Sequence, residues 1–98
     1  IVSENGMYGS IRIHQERAHP GRVSGTDLAN PDFAALARAY GGHGEVVTRT
    51  GDFAAAFARA QASGRPAVIT LTLDPEALTP GQTLSQVRAA GIAAQRGT

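Results

Sequence analysis

Asn5-Gly6-Met7-Tyr8-Gly9-Ser10-Ile11-Arg12 is the stretch of this chain whose residue types and spacing could do chemistry. It follows an apolar start, Ile1-Val2, that reads as the end of a buried strand, and it runs into a predicted helix. In open α/β sheets ligands sit just beyond the carboxyl ends of strands. A helix that begins there offers unpaired N–H groups and the positive end of its dipole to an anion. Asn5 supplies a side-chain carbonyl oxygen. Gly6 permits the tight turn that can aim the Met7 carbonyl inward. Magnesium takes about six oxygen ligands and commonly shares them with phosphates, so Asn5 and Met7 could provide two of them. Gly-rich turns between strand and helix are also common without any ligand. Spacing alone therefore leaves a phosphate site and a plain connection both open.

The elements that must hold this turn are marked by punctuation. The spacing predicts a helix from Ser10 to about Arg17. Ala18 to Ala29, with Pro20-Gly21 and Ser24-Gly25-Thr26, reads as a loop. Asn30 is expected to cap the next helix, with Pro31 in its first position and Asp32 at the positive end of its dipole. Phe33, Leu36, Ala37 and Tyr40 then give it one apolar face, and Gly41-Gly42 ends it. A short strand is expected over Glu45 to Arg49. A helix capped by Thr50 or Asp52 follows, with a face of Phe53, Ala56, Phe57 and Ala60, stopped by Gly64 and Pro66. Ala67 to Leu73 is a β-branched run that suits a strand covered on both faces. Thr83 and Gln86 form a capping-box pair for a last helix, Leu84 to about Gln95, whose second half Gly91 weakens. Strands joined through helices imply an α/β fold, a partial parallel sheet flanked by helices. Only two predicted strands are complete, so the sheet would have open edges, with neighbouring strands expected upstream or in a partner.

Composition narrows the function classes. At 98 residues the chain is one small domain or part of a larger one, and Ile1 in first place suggests a fragment. With a net charge of +1 it carries no strong field for nucleic acid or anionic lipid. All nine basic residues are Arg. The absence of Cys excludes disulfides, zinc–thiolate sites and Cys nucleophiles. No apolar run approaches the roughly 20 residues of a membrane span, and no signal peptide is visible. The expected setting is cytoplasmic, without nucleic acid or membrane partners.

Asn5-Gly-Met-Tyr-Gly-Ser-Ile-Arg12 resembles the second half of the thiamine diphosphate motif of the thiamine diphosphate-dependent enzymes. Residues 30–41, Asn-Pro-Asp-Phe-Ala-Ala-Leu-Ala-Arg-Ala-Tyr-Gly, resemble the family's next helix. Arg65-Pro66-Ala67-Val68-Ile69 with Asp74-Pro75 resembles its final strand. The similarity runs in order along nearly the whole chain and is greatest to acetolactate synthase-like and benzoylformate decarboxylase-like enzymes. It implies that residues 1–98 are the C-terminal part of a thiamine diphosphate-binding domain. It implies Asn5 as a side-chain ligand to Mg2+ and Met7 as a backbone-oxygen ligand. It places Gly6, Tyr8, Gly9 and Ser10 beside the diphosphate, and Ile11 and His14 on the substrate pocket wall. Activity on a 2-keto acid, as a carboligase (transferase) or decarboxylase (lyase), follows from the same likeness. So do the remainder of the same polypeptide and a homodimer or homotetramer as the working assembly. Two departures stand out. Glu4 replaces the first Asn of the motif's pair and would repel a diphosphate unless it points away or pairs with a cation such as Arg12. His14 stands where acetolactate synthases usually have Trp. The family's Gly-Asp-Gly element and its catalytic Glu are not in this chain, so the 98 residues alone are expected to be inactive.

Other residues have plainer readings. His14 and His19 do not share a helical face, and His19 adjoins Pro20, which argues against a metal pair. His43, in a Gly-rich loop, reads as a solvated or a turn residue. Arg12, Arg17 and Arg22 read as a scattered surface rather than an RNA patch. Ser10 has no companion base for nucleophilic work. The Phe and Ala stripes read as core. The alternative to the enzyme is a non-catalytic α/β interaction module, or a degenerate family member that has lost its metal.

Overall fold

A computed structural model describes residues 1–97. In chain order its elements are β1 (Val2–Glu4), α1 (Gly9–Ala18), α2 (Phe33–Ala39), β2 (His43–Val47), a 3-10 turn (Thr50–Asp52), α3 (Phe53–Ala62), β3 (Ala67–Thr72) and α4 (Leu84–Arg96). The strands form one parallel sheet in the order β1-β3-β2. The fold is α/β, as the pattern of strands and helices implies. No described helix is long and apolar enough to cross a membrane. The chain divides into two compact units, one of Ile1–Glu4 with Asn30–Leu73, the other of Asn5–Ala29 with the stretch from Asp74 onward.

The first unit contains the whole sheet. The β-branched run of β3 takes the central place, where Ile69 and Thr70 are buried. Val47, Ala56, Ala60 and Ile69 form the core under α3, with Phe53 and Leu71 packed against it. This corrects the expected aromatic face. The alanines of α3 meet the sheet, while Phe57 is exposed and stacks on Phe53 with ring centroids 5.8 Å apart. Small side chains let the helix come close, and the rings lie beside the contact. A second correction concerns α2. Its cap is Asp32, whose carboxylate accepts from Ala35 N at 3.0 Å, not Asn30. Asn30 Nδ2 instead donates to Glu4 Oε1 at 3.0 Å. The buried residue of α2 is Ala34, because Gly44 of β2 has no Cβ and the two backbones touch. Leu36 and Tyr40 stay exposed, Tyr40 at 86%. With Phe33, Ala37, Val2 and Val68 they line an apolar groove of about 380 Å³.

β2 starts at His43, earlier than the expected Glu45, because Pro66 O accepts His43 N (2.9 Å) and pairing with β3 begins at Ala67. His43 is therefore a strand residue and not a solvated turn. Its Nε2 lies 2.6 Å from Glu45 Oε2, and Arg59 grips the same carboxylate through Nη2 (2.7 Å) and Nε (3.0 Å). Neither Thr50 nor Asp52 caps α3 with its side chain, since the 3-10 turn satisfies that end.

Hydrogen bonds from Arg59, and then from His43, hold the Glu45 carboxyl down at about 2, against an ordinary value of 4.5. A carboxyl lowered by folding stabilises the fold above its unfolded value, and that contribution is lost as pH falls through the folded one. The melting temperature of the wild type should therefore fall more steeply than that of Glu45→Gln as pH is lowered from about 6 to about 2. The two curves should converge at the acid end. Parallel curves in a scanned pH series would remove Glu45 from the account.

In the second unit, α1 and α4 pack against each other. Gly91, expected to weaken α4, sits against the backbone of α1. A Cβ there would lie 2.6 Å from Glu16 O and 2.8 Å from Arg17 O. Glu16 is fully buried, and its carboxylate accepts from Arg88 Nε (2.6 Å) and Nη2 (3.0 Å) and from Gly21 N (3.2 Å). The Arg88 hydrogen bonds outweigh burial and hold this carboxyl below its ordinary range. The Thr83–Gln86 capping box forms with both of its reciprocal bonds.

Candidate functional site

The turn that leaves β1 belongs to the second unit, and its geometry follows from its residue types. Gly6 sits at φ +73°, a left-handed conformation that side chains resist. Asn5 Oδ1 accepts from Met7 N at 3.2 Å and closes the turn locally, as Asn does in Asx-turns. Met7 forms an antiparallel bridge with Asp27, made by Tyr8 N to Thr26 O and Leu28 N to Gly6 O, both 2.8 Å. The Met7 carbonyl takes part in neither bond of that bridge.

α1 starts at Gly9 with Tyr8 in the cap position and no side-chain cap. The first bond along the helix is Arg12 N to Tyr8 O, 2.9 Å. The N–H groups of Gly9, Ser10 and Ile11 therefore lack an intrahelical acceptor, and an external oxygen anion could take that place. A Cβ on Gly9 would sit 2.9 Å from Leu78 Cδ2 and 3.4 Å from Asn5 Nδ2, so only glycine lets both approach this closely. Asn5, Gly6, Met7 and Gly9 are half-buried, whereas Tyr8, Ser10, Ile11 and His14 are exposed. Ile11 and His14 lie three apart on α1 and share one face. The turn thus brings Asn5, Met7 and the helix start together, with Ile11 and His14 exposed on the helix that follows.

Sequence reasoning missed the support of this turn. Arg12 was expected on a scattered surface but is only 8% exposed. Its Nε donates to Thr26 Oγ1 at 2.8 Å and its Nη2 to the Asp27 carboxylate. Thr26 Oγ1 donates to Gln15 Oε1 (3.0 Å), and Gln15 Nε2 to Ser24 O (2.8 Å). The stretch from Ala18 to Ala29 is the expected loop after α1, and its residues 26–28 are the other half of the turn. The available signal was the spacing of Arg12 and Glu16, four apart on one helical stripe, where a buried charge demands partners. Among the described residues no three His, Asp or Glu side chains gather to hold a metal. A cation at this turn would take neutral oxygens from it.

The family described as "Thiamine pyrophosphate enzyme, C-terminal TPP binding domain" matches residues 1–71, a span that includes the turn and the whole bridge to Asp27. A "Probable acetolactate synthase" of Mycobacterium bovis is 31% identical over 80 residues, covering 82% of this chain and 15% of that protein. The "Acetolactate synthase large subunit IlvG" of Mycobacterium tuberculosis matches with the same identity and coverage. The chain thus spans about 15% of the length of these curated relatives. From residue 1 to residue 71, through the strand, the turn and the sheet that follows, this chain belongs to the thiamine pyrophosphate enzymes as their C-terminal cofactor-binding domain.

Proposed function

We propose that this chain anchors Mg2+ and the diphosphate of thiamine diphosphate in an enzyme acting on 2-keto acids, of the acetolactate synthase-like or decarboxylase-like kind. Residues 1–98 are the C-terminal part of its cofactor-binding domain; the remainder of the polypeptide supplies the Asp ligand, and another domain, on a partner subunit, supplies the catalytic Glu. The working form is a homodimer or homotetramer, and these residues alone do not turn over substrate.

The observation that carries this reading is the Asn5–Gly9 turn, bridged to residues 26–28 and followed by an uncapped helix start. The donor set fits the group. An amide oxygen has two lone pairs, so Asn5 Oδ1 can keep its bond to Met7 N and still face a cation. A neutral side-chain oxygen and a backbone oxygen are hard donors, as Mg2+ prefers. Tyr8, Gly9 and Ser10 line the diphosphate, with the free N–H groups of α1 aimed at its oxygens. Ile11 and His14 form part of the substrate wall. The Glu4 carboxylate, which stands in place of the motif's first Asn, is engaged by Asn30. When bound, thiamine diphosphate supplies the electron sink for making or breaking a bond beside a keto carbonyl.

Calorimetric titration of the full polypeptide with thiamine diphosphate tests this. Binding is expected with Mg2+ present and should be lost in excess chelator, and the isolated 98 residues should bind far more weakly. Equal binding with and without the metal would remove the anchor.

A further inference from the structure

We propose that Arg12 and Thr26 are positioning residues that aim the Met7 carbonyl oxygen at the bound metal, an inference that rests on the magnesium–diphosphate site proposed above. Three hydrogen bonds close a ring. Arg12 N donates to Tyr8 O (2.9 Å), Arg12 Nε donates to Thr26 Oγ1 (2.8 Å), and Tyr8 N donates to Thr26 O (2.8 Å). The peptide joining Met7 to Tyr8 is planar and trans, so its N–H and C=O point to opposite sides. Fixing Tyr8 N–H on Thr26 therefore turns the Met7 oxygen away from residues 26–28. The peptide before Met7 is held as well, by Leu28 N on Gly6 O and by Met7 N on Asn5 Oδ1. With both peptide planes fixed, the direction of the Met7 oxygen is set before any metal arrives.

The side chains make that clamp rigid. Thr26 Oγ1 accepts from Arg12 and donates to Gln15, which locks its rotamer. Arg12 is buried and needs a counter-charge, and Asp27, whose backbone bridges Met7, provides it. Thr26 and Asp27 thus hold the guanidinium with their side chains and the turn with their backbone. Outer groups of this kind set the orientation of a metal ligand and are commonly worth about ten- to a hundredfold in metal affinity.

The test uses the full polypeptide with Mn2+ in place of Mg2+, at saturating thiamine diphosphate. Thr26→Val keeps the shape and removes the hydroxyl, and is expected to weaken Mn2+ binding about tenfold. Thr26→Ser keeps the hydroxyl and should stay within about twofold. Arg12→Lys, which retains the charge but loses the Nε donor, should repeat the tenfold loss and serves if Thr26→Val does not fold. Arg88→Met loosens α1 at its far end and should lower the melting temperature without changing the metal constant. Metal constants that track melting temperature across all variants would overturn the positioning role. So would an unchanged constant in Thr26→Val and Arg12→Lys while Asn5→Ala weakens binding, an outcome that leaves the metal site standing. If Asn5→Ala also has no effect, the metal site itself is wrong and this inference falls with it.

Discussion

Asn5→Ala is expected to weaken Mg2+-dependent binding of thiamine diphosphate by about thirty- to a hundredfold. The variant removes the side-chain oxygen proposed as a metal ligand. It also removes the acceptor of Met7 N, which helps to hold the next ligand in place. An interaction with a charged partner is worth about 2–3 kcal/mol, and about 1.4 kcal/mol corresponds to tenfold in affinity. The fold itself should lose only about 1 kcal/mol, the value of one part-buried hydrogen bond. A binding defect much larger than the stability defect is therefore the signature of a ligand. Calorimetry at limiting and saturating Mg2+ reads the first, and a thermal melt without cofactor reads the second. Asn5→Asp adds a useful contrast. It keeps an oxygen for the metal but brings a negative charge toward the diphosphate, so it should fall between wild type and Ala. Affinity within twofold of wild type for Asn5→Ala would remove Asn5 from the site.

Gly44→Ala should cost about 3 kcal/mol of stability. A Cβ at this position would lie 2.1 Å from Ala34 O and 2.9 Å from Ala34 Cα. These are backbone atoms of α2 and cannot swing aside, so the helix must withdraw from β2. Overpacking of this kind costs about 1–3 kcal/mol and sometimes more. Gly41→Ala is the control. Gly41 sits at φ +81° with open space around it, so it should show only the left-handed penalty of about 1–2 kcal/mol. Urea unfolding of both variants checks the difference. Equal losses would mean that close contact between α2 and β2 contributes nothing.

Much of the fold could be read from the chain because local chemistry decides it. The β-branched run of β3 and the reciprocal Thr83–Gln86 cap need no distant partner to be recognised. The Asn5-to-Arg12 turn is marked by Gly6, whose left-handed backbone favours glycine. The misreadings lie where a distant residue decides. Asn30 had the composition of a cap, but Glu4 holds its side chain and the cap lies two residues later, at Asp32. The aromatic stripes of α2 and α3 had the right period, yet Gly44 and the small alanines set which side meets the sheet. His43 became a strand residue only because β3 offers a partner at that register. The support of the site was hidden for the same reason. Arg12, Thr26 and Asp27 look like ordinary surface residues until the loop returns across α1 and buries the guanidinium.

The strand order carries a consequence for how the chain acquires its shape during synthesis. β3 is central, yet it is the last of the three strands to leave the ribosome. Val2 pairs with Thr70 and Val47 with Leu71, so neither strand has β3 beside it until residues 67–72 have emerged. Closing contacts this distant in sequence slows folding, and unpaired strand edges wait exposed in the meantime. A nascent chain halted before Ala67 would hold β1 and β2 without the strand that both of them pair with. The pairing of β1 and β2 through β3 therefore forms only after residues 67–72 have emerged.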